Sequence, residues 1–191
     1  MATVAFHSAG RNDGQLYRAV IRGDRRAVVE ELGRGDIDPD LTIYCKTLLH
    51  HAGERGFKDI ARSLIEYGAE VNCTYGKQRR SLLHFAAATY RYGFASVLLE
   101  GGANPTPRTS NKATPLHFAA RTGQEYLVSL LLDCGAKIDV RDNLGRTPLD
   151  LAVATGHVNL AQQLISSSND LSSEDRKSKS ARKIAPSSIE Q

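Results

Sequence analysis

Thr114-Pro115-Leu116-His117-Phe118-Ala119-Ala120-Arg121-Thr122-Gly123 has companions elsewhere in the chain: Thr47-Leu48-Leu49-His50, Ser81-Leu82-Leu83-His84 and Thr147-Pro148-Leu149-Asp150. Their leucines stand at 49, 83, 116 and 149, and Leu16 lies a further 33 residues upstream. The steps are 34, 33 and 33 residues, and a fixed period in that range is the signature of a stacked repeat architecture. Each string is followed by small residues, Ala52-Gly53, Ala86-Ala87, Ala119-Ala120 and Ala152-Val153. Next comes a turn glycine, at Gly23, Gly56, Gly123 and Gly156, and then an apolar stretch such as Phe94 to Leu99 or Leu127 to Leu132. Glycine returns as Gly35, Gly68-Ala69, Gly102-Ala103 and Gly135-Ala136. A threonine that caps free amides, with proline at the first helical position, starts a helix. Glycine supplies the left-handed residue at a helix end. Each unit therefore reads helix, turn, helix, exposed loop.

Units of this kind cannot bury an apolar face alone, so neighbours stack and share one elongated core. Five units are predicted, at about 13–41, 42–75, 76–108, 109–141 and 142–165. Residues 1–12 and the serine- and lysine-rich 166–191 carry no such period and are expected to be disordered. In the third unit Tyr90 replaces the turn glycine, which should strain or remodel that bend. Tyr17 and Asp150 replace the histidine in the end units, in keeping with their terminal position.

The T-P-L-H-x-A-A-x-x-G and L-L-L-x-x-G-A patterns resemble those of the ankyrin-repeat family, over about Asp13 to Ile165. The resemblance implies an all-α repeat solenoid with protruding β-hairpin loops. It also implies a structural role for His50, His84 and His117, as hydrogen-bonding residues between units, and a binding surface on the concave face and loop tips.

Composition agrees with a globular chain: 191 residues, 24% charged and 41% apolar, with no apolar run near the roughly 20 residues needed to cross a bilayer. No secretory signal is visible at the N-terminus, and Cys45, Cys73 and Cys134 form no CxxC pair. An intracellular protein, cytoplasmic or nuclear, is expected. Asp36, Asp38 and Asp40 imitate the start of a calcium loop, but Leu41 and Thr47 stand where glycine and glutamate are required. Neither a nucleophile motif, a phosphate-cradling loop nor a zinc spacing is present. The expected role is non-catalytic, with no cofactor, metal, small-molecule substrate or membrane insertion.

Function is expected at the tips. Loop 38–46 sums to −1, loop 72–80 to +3, loop 104–113 to +2 and loop 139–146 to zero, so the middle tips hold the charge of a chain whose net excess is +4. Partner-binding candidates are Tyr44, Lys46, Arg55, Tyr75, Lys77, Arg79, Arg80, Arg108, Lys112, Arg121, Arg141 and Arg146. The partner expected is another protein, through an acidic or phosphorylated segment; plain solvation of the loops is the competing reading. Enzyme inhibition by occlusion, for example of a protein kinase, and nucleic-acid binding are the alternatives, the last without an RNA-binding motif. Asn72 resembles the asparagine hydroxylated in other ankyrin proteins; the alternative is a turn asparagine bonding its own loop. Ser172 and Ser173, before Glu174-Asp175, resemble phosphorylation sites, and the basic run near Arg176 to Lys183 reads either as an import signal or as a solvated tail.

Overall fold

A computed structural model describes residues 11–35, 37–44 and 46–168, the side chains of 11–13 excepted. Asp36, Cys45, Ser172, Ser173 and the terminal segments 1–10 and 169–191 lie outside the described residues. Five helix pairs follow one another: α1 (Arg11–Arg22) and α2 (Arg25–Gly33), α3 (Leu48–Arg55) and α4 (Lys58–Glu66), α5 (Leu82–Ala88) and α6 (Tyr92–Glu100), α7 (Pro115–Thr122) and α8 (Glu125–Asp133), then α9 (Pro148–Ala154) and α10 (158–168). Two hairpins are paired antiparallel, β1 (Thr42–Ile43) with β2 (Lys46–Thr47) and β3 (Thr74–Tyr75) with β4 (Arg80–Ser81). The first helix among the described residues starts at Arg11 and the last runs to 168. Among the described residues no helix is long and apolar enough to cross a membrane.

The inner helices start on a reciprocal cap. In α5 the Ser81 N–H donates to His84 Nδ1 at 3.1 Å, and Thr114 N–H does the same to His117 at 3.1 Å. With Nδ1 accepting, the proton of the neutral ring sits on Nε2, which donates to the next loop: His84 to Ala113 O and His117 to Arg146 O, both at 3.0 Å. One side chain thus starts its own helix and ties it to the neighbouring unit. Asp150 repeats the cap on the Thr147 amide at 2.7 Å and has no second nitrogen to reach onward, as suits the last unit.

His50 departs from this pattern. It caps the Thr47 amide, yet its Nε2 is buried without an acceptor among the described residues, and the Tyr75 ring stands edge-on to it at 4.6 Å. The cause lies in the one 34-residue step: Ala69 to Ser81 is one residue longer than Ala103 to Thr114, which enlarges the second loop. The Arg80 carbonyl, counterpart of Ala113 O, is not delivered to the ring.

Tyr90 adopts the left-handed conformation expected from its position, with φ of 58°, a placement that costs a non-glycine residue on the order of 1–2 kcal/mol. Its hydroxyl donates to Thr122 O at 2.9 Å, so the strained residue also links two units.

The core is a continuous row of leucines and their partners, with Leu16, Leu49, Leu83 and Leu116 at 2% exposure or less and Leu149 only partly buried under the last helix pair. Unit-to-unit packing is matched by size. Gly53 in α3 faces Phe94 in α6, and a Cβ at Gly53 would meet the ring at 2.4 Å. The corresponding positions in the next units are Ala87 with Leu127 and Ala120 with Leu160. Gly53→Ala is therefore expected to destabilise by about 1–3 kcal/mol despite a gain in helix propensity of about 1 kcal/mol, since Phe94 is buried and has nowhere to move. Adding Phe94→Leu imports the pair used next door. The double variant should melt above Gly53→Ala alone in a denaturant titration; strict additivity of the two losses would disprove the size matching.

Candidate functional site

The loop tips are held in one line by their backbones. Ser110 N–H donates to Gln78 O and Asn143 N–H to Asn111 O, both at 2.9 Å, so the fingers of three consecutive units form a continuous ribbon. Deeper in the loops Asn72 Oδ1 accepts from Asn104 N–H at 2.8 Å. The Asn72 side chain thus bonds the loop of the next unit rather than its own, and its exposed position leaves the proposed hydroxylation open as a proposal.

Between the ribbon and the inner helices lies a cleft of about 260 Å³, lined by Gln78, Arg80, Thr109, Asn111, Ala113, His117, Phe118, Arg121, Asp142, Arg146 and Leu151. Phe118 forms its floor, 9% exposed, with the His84 ring edge-on at 5.4 Å. Two guanidinium groups stand over that ring, Arg80 at 5.4 Å and Arg121 at 5.2 Å from its centroid. The geometry is that of a cation–π contact, which holds a charged head in place without neutralising it. Arg80 reaches the ring from β4 and Arg121 from the last turn of α7, one turn after Phe118 itself.

The twelve candidate residues do not share one situation. Arg146 donates through Nε and Nη2 to Asp142 Oδ2 at 2.9 and 2.8 Å. Burial works against the Asp142 charge, but these bonds and the backbone amides of Arg146 and Leu144 outweigh it and hold the carboxyl below its usual range. Lys46 is paired with Glu54. Arg108 donates to Arg141 O at 2.8 Å and Lys112 O at 3.3 Å, and Arg141 to Gly145 O at 2.7 Å, so both brace the fingers. Tyr75 is half-buried against His50 rather than presented to solvent; burial raises its phenol above the ordinary value. Tyr44 is 58% exposed, its ring 6.3 Å from Tyr17.

Six cations remain without a carboxylate or carbonyl partner among the described residues: Arg55, Lys77, Arg79, Arg80, Lys112 and Arg121. Lys77 and Arg79 sit on the enlarged second tip and Lys112 on the third, the last two at positive φ (50° and 58°). Arg55 ends α3, away from the cleft lining. The structure thus brings together Arg80, Arg121 and Arg146 of the candidates and adds Phe118, Gln78 and Asn111. Phe118 carried a sequence signal: it fills the variable position of T-P-L-H-x-A-A, where His51, Phe85 and Leu151 stand in the other units.

Among the described residues no group of three or more His, Cys, Asp or Glu side chains is placed to hold a metal ion. His50, His84 and His117 sit one per unit, each committed to its cap.

The family described as "Ankyrin repeats (3 copies)" matches residues 16–109 and 83–175. Curated relatives include "E3 ubiquitin-protein ligase Ufd4" of Drosophila melanogaster, 36% identical over 106 residues, which are 55% of this chain and 4% of that protein. "BTB/POZ domain and ankyrin repeat-containing protein NOOT2" of Medicago truncatula is 33% identical over 107 residues, 53% of this chain and 22% of the relative. "BTB/POZ domain and ankyrin repeat-containing protein NH5.2" of Oryza sativa subsp. japonica is 34% identical over 86 residues, 44% of this chain and 16% of the relative. The chain spans less than a quarter of the length of each of these proteins. Both the period in the sequence and the stacked helix pairs agree with that match over most of the chain: it belongs to the ankyrin-repeat family.

Proposed function

We propose that the chain is a non-catalytic interaction module that holds an acidic segment of another protein across its second and third loop tips and the cleft behind them. Ankyrin repeats generally mediate protein–protein interactions. The finer reading rests on one observation: Lys77, Arg79, Arg80, Lys112 and Arg121 have no counter-charge among the described residues, whereas Lys46 and Arg146 are neutralised by Glu54 and Asp142. Exposed cations of one sign, placed on a ribbon fixed by backbone bonds, attract an acidic segment before contact and raise its association rate. Tyr44 adds apolar surface farther along the same edge.

The test is a kinetic binding measurement with the natural partner, recovered by copurification, at low and physiological salt. Charge reversal at Lys77 and Arg79 should slow association much more than it speeds dissociation, and the difference should shrink as salt screens it over about 8 Å. Fold stability should stay within about 0.5 kcal/mol, because both side chains are outside the stack. Equal rates for wild type and the double reversal, with no salt dependence, would leave the tips as solvated loops.

A further inference from the structure

We infer that the Arg80–Phe118–Arg121 constellation is a phosphate clamp: it receives the phosphoryl group of a phosphorylated side chain in the partner segment. This rests on the reading that the tips and cleft bind an acidic protein segment. Two guanidinium groups from different units meet over one aromatic ring, and neither has an acceptor among the described residues. Like charges do not gather without a reason. Here the packing of Arg80 supplies part of one, since its half-buried side chain lines the cleft and its Nε is buried with no acceptor among the described residues. A buried donor left unpaired is a cost the fold carries until an oxygen approaches.

Charge bookkeeping selects the ligand. Among the described residues three guanidiniums, Arg80, Arg121 and Arg146, line the cleft against one carboxylate, Asp142, which Arg146 already neutralises. Two positive charges are left over. A glutamate or aspartate side chain would cancel one, whereas a phosphomonoester carries about −1.5 to −2 at pH 7 and cancels nearly both. Its three terminal oxygens also suit the planar fork of an arginine, which binds phosphate through paired N–H donors. Gln78 and Asn111 line the same cleft, and side-chain amides are further N–H donors. The Phe118 face, held edge-on by His84, keeps both heads in place before the ligand arrives, so little side-chain freedom is lost on binding.

The experiment titrates the isotope-labelled full chain with O-phosphoserine, inorganic phosphate and N-acetylglutamate and follows the arginine Nε–H resonances of Arg80 and Arg121. Both phosphates should give a saturable shift at the two residues, and N-acetylglutamate should bind more weakly by roughly ten-fold or more, about one charge-assisted hydrogen bond. Arg80→Gln and Arg121→Gln should each abolish the shift at the remaining arginine while leaving the backbone amide spectrum of the core unchanged, and Arg26→Gln on α2 should have no effect. A linear response shared with chloride, or a shift that survives both variants, would overturn the clamp. Equal affinity for N-acetylglutamate would overturn it in favour of a carboxylate anchor, and a single-stranded oligonucleotide that outcompetes O-phosphoserine at these arginines would overturn it in favour of nucleic acid. Failure of the clamp is separable from failure of the module. A partner that depends on Lys77 and Arg79 but ignores phosphatase treatment, Arg80→Gln and Arg121→Gln sinks only the clamp.

Discussion

Acidification from pH 6.5 towards 4 is expected to remove several kcal/mol of stability, well before the carboxylates are titrated. Burial, reinforced by the neighbouring His51, lowers the His50 pKa to about 4. Burial does the same at His84, also to about 4, and lowers His117. The caps give the physical reason. Each ring accepts the N–H of its own cap residue on Nδ1, and His84 and His117 donate from Nε2 to the next unit, so a proton on Nδ1 destroys the bond that starts the helix. In the unfolded chain these histidines take up a proton near pH 6.5. Between that value and about 4 the unfolded state binds more protons, so stability is full above pH 6.5 and falls as pH drops through the window. A depression from 6.5 to about 4 corresponds to about 3 kcal/mol for each of His50 and His84 by linkage. Denaturant midpoints at pH 7, 6 and 5 should therefore fall steadily while aspartates and glutamates stay ionised. His84→Asn should lower the pH 7 value and flatten the slope. A midpoint that does not change between pH 7 and 5 would mean that the three rings accept protons without leaving their caps.

The same three histidines mark what could be read from the sequence. Their spacing, the leucines beside them and the small residues that follow disclosed the stack, because each repeat position answers to the same packing constraint in every unit. Tyr90 was legible for the same reason, as a side chain where four other units have glycine. The orphaned His50 was foreshadowed only by one spacing of 34, and no local rule says which hydrogen bond an extra loop residue will break.

Loop charge was less legible than loop position. Counting charges treats Lys46, Arg108, Arg141 and Arg146 like Lys77 and Arg79. Whether a cation is free depends on what the fold places beside it: Glu54 comes from the inner helix α3, Asp142 from four residues upstream in a turn, and the carbonyls that occupy Arg108 and Arg141 belong to the fingers. Tyr75 changed meaning similarly, from an exposed aromatic to a half-buried one, because the longer second loop turns it against His50. The pairing of Arg80 with Arg121 joins residues 41 positions apart through a phenylalanine at a position the repeat pattern leaves open. Nothing local connects them.

Leu116→Ala is expected to cost about 2–5 kcal/mol, and Leu83→Ala a similar amount. Leu116 is wholly buried in α7, which packs against α5 on one side, α9 on the other and α8 behind. Removing its side chain opens a cavity among three helices packed against α7, which can close it only in part. Leu149 occupies the equivalent place in α9 but is only partly buried, with no further helix pair packed over it among the described residues. Its truncation should cost clearly less, since a cavity at the end of a stack is filled by water or by a shift of the last helices. Leu144, 74% exposed on a loop tip, should change stability by no more than about 0.5 kcal/mol. The four alanine variants, compared by denaturant unfolding at pH 7, give a gradient that only a linear stack produces: large at Leu83 and Leu116, smaller at Leu149, negligible at Leu144. Equal losses at Leu116 and Leu149 would mean that the end unit is covered as fully as the centre, and near-zero losses at Leu83 and Leu116 would refute the repeat register itself. A stack stabilised by neighbour contacts also predicts the shape of the curve. Weakening the middle unit uncouples the halves on either side, so the Leu83→Ala transition should broaden or split, whereas Leu149→Ala should fray from one end and keep a single sharp transition for the rest.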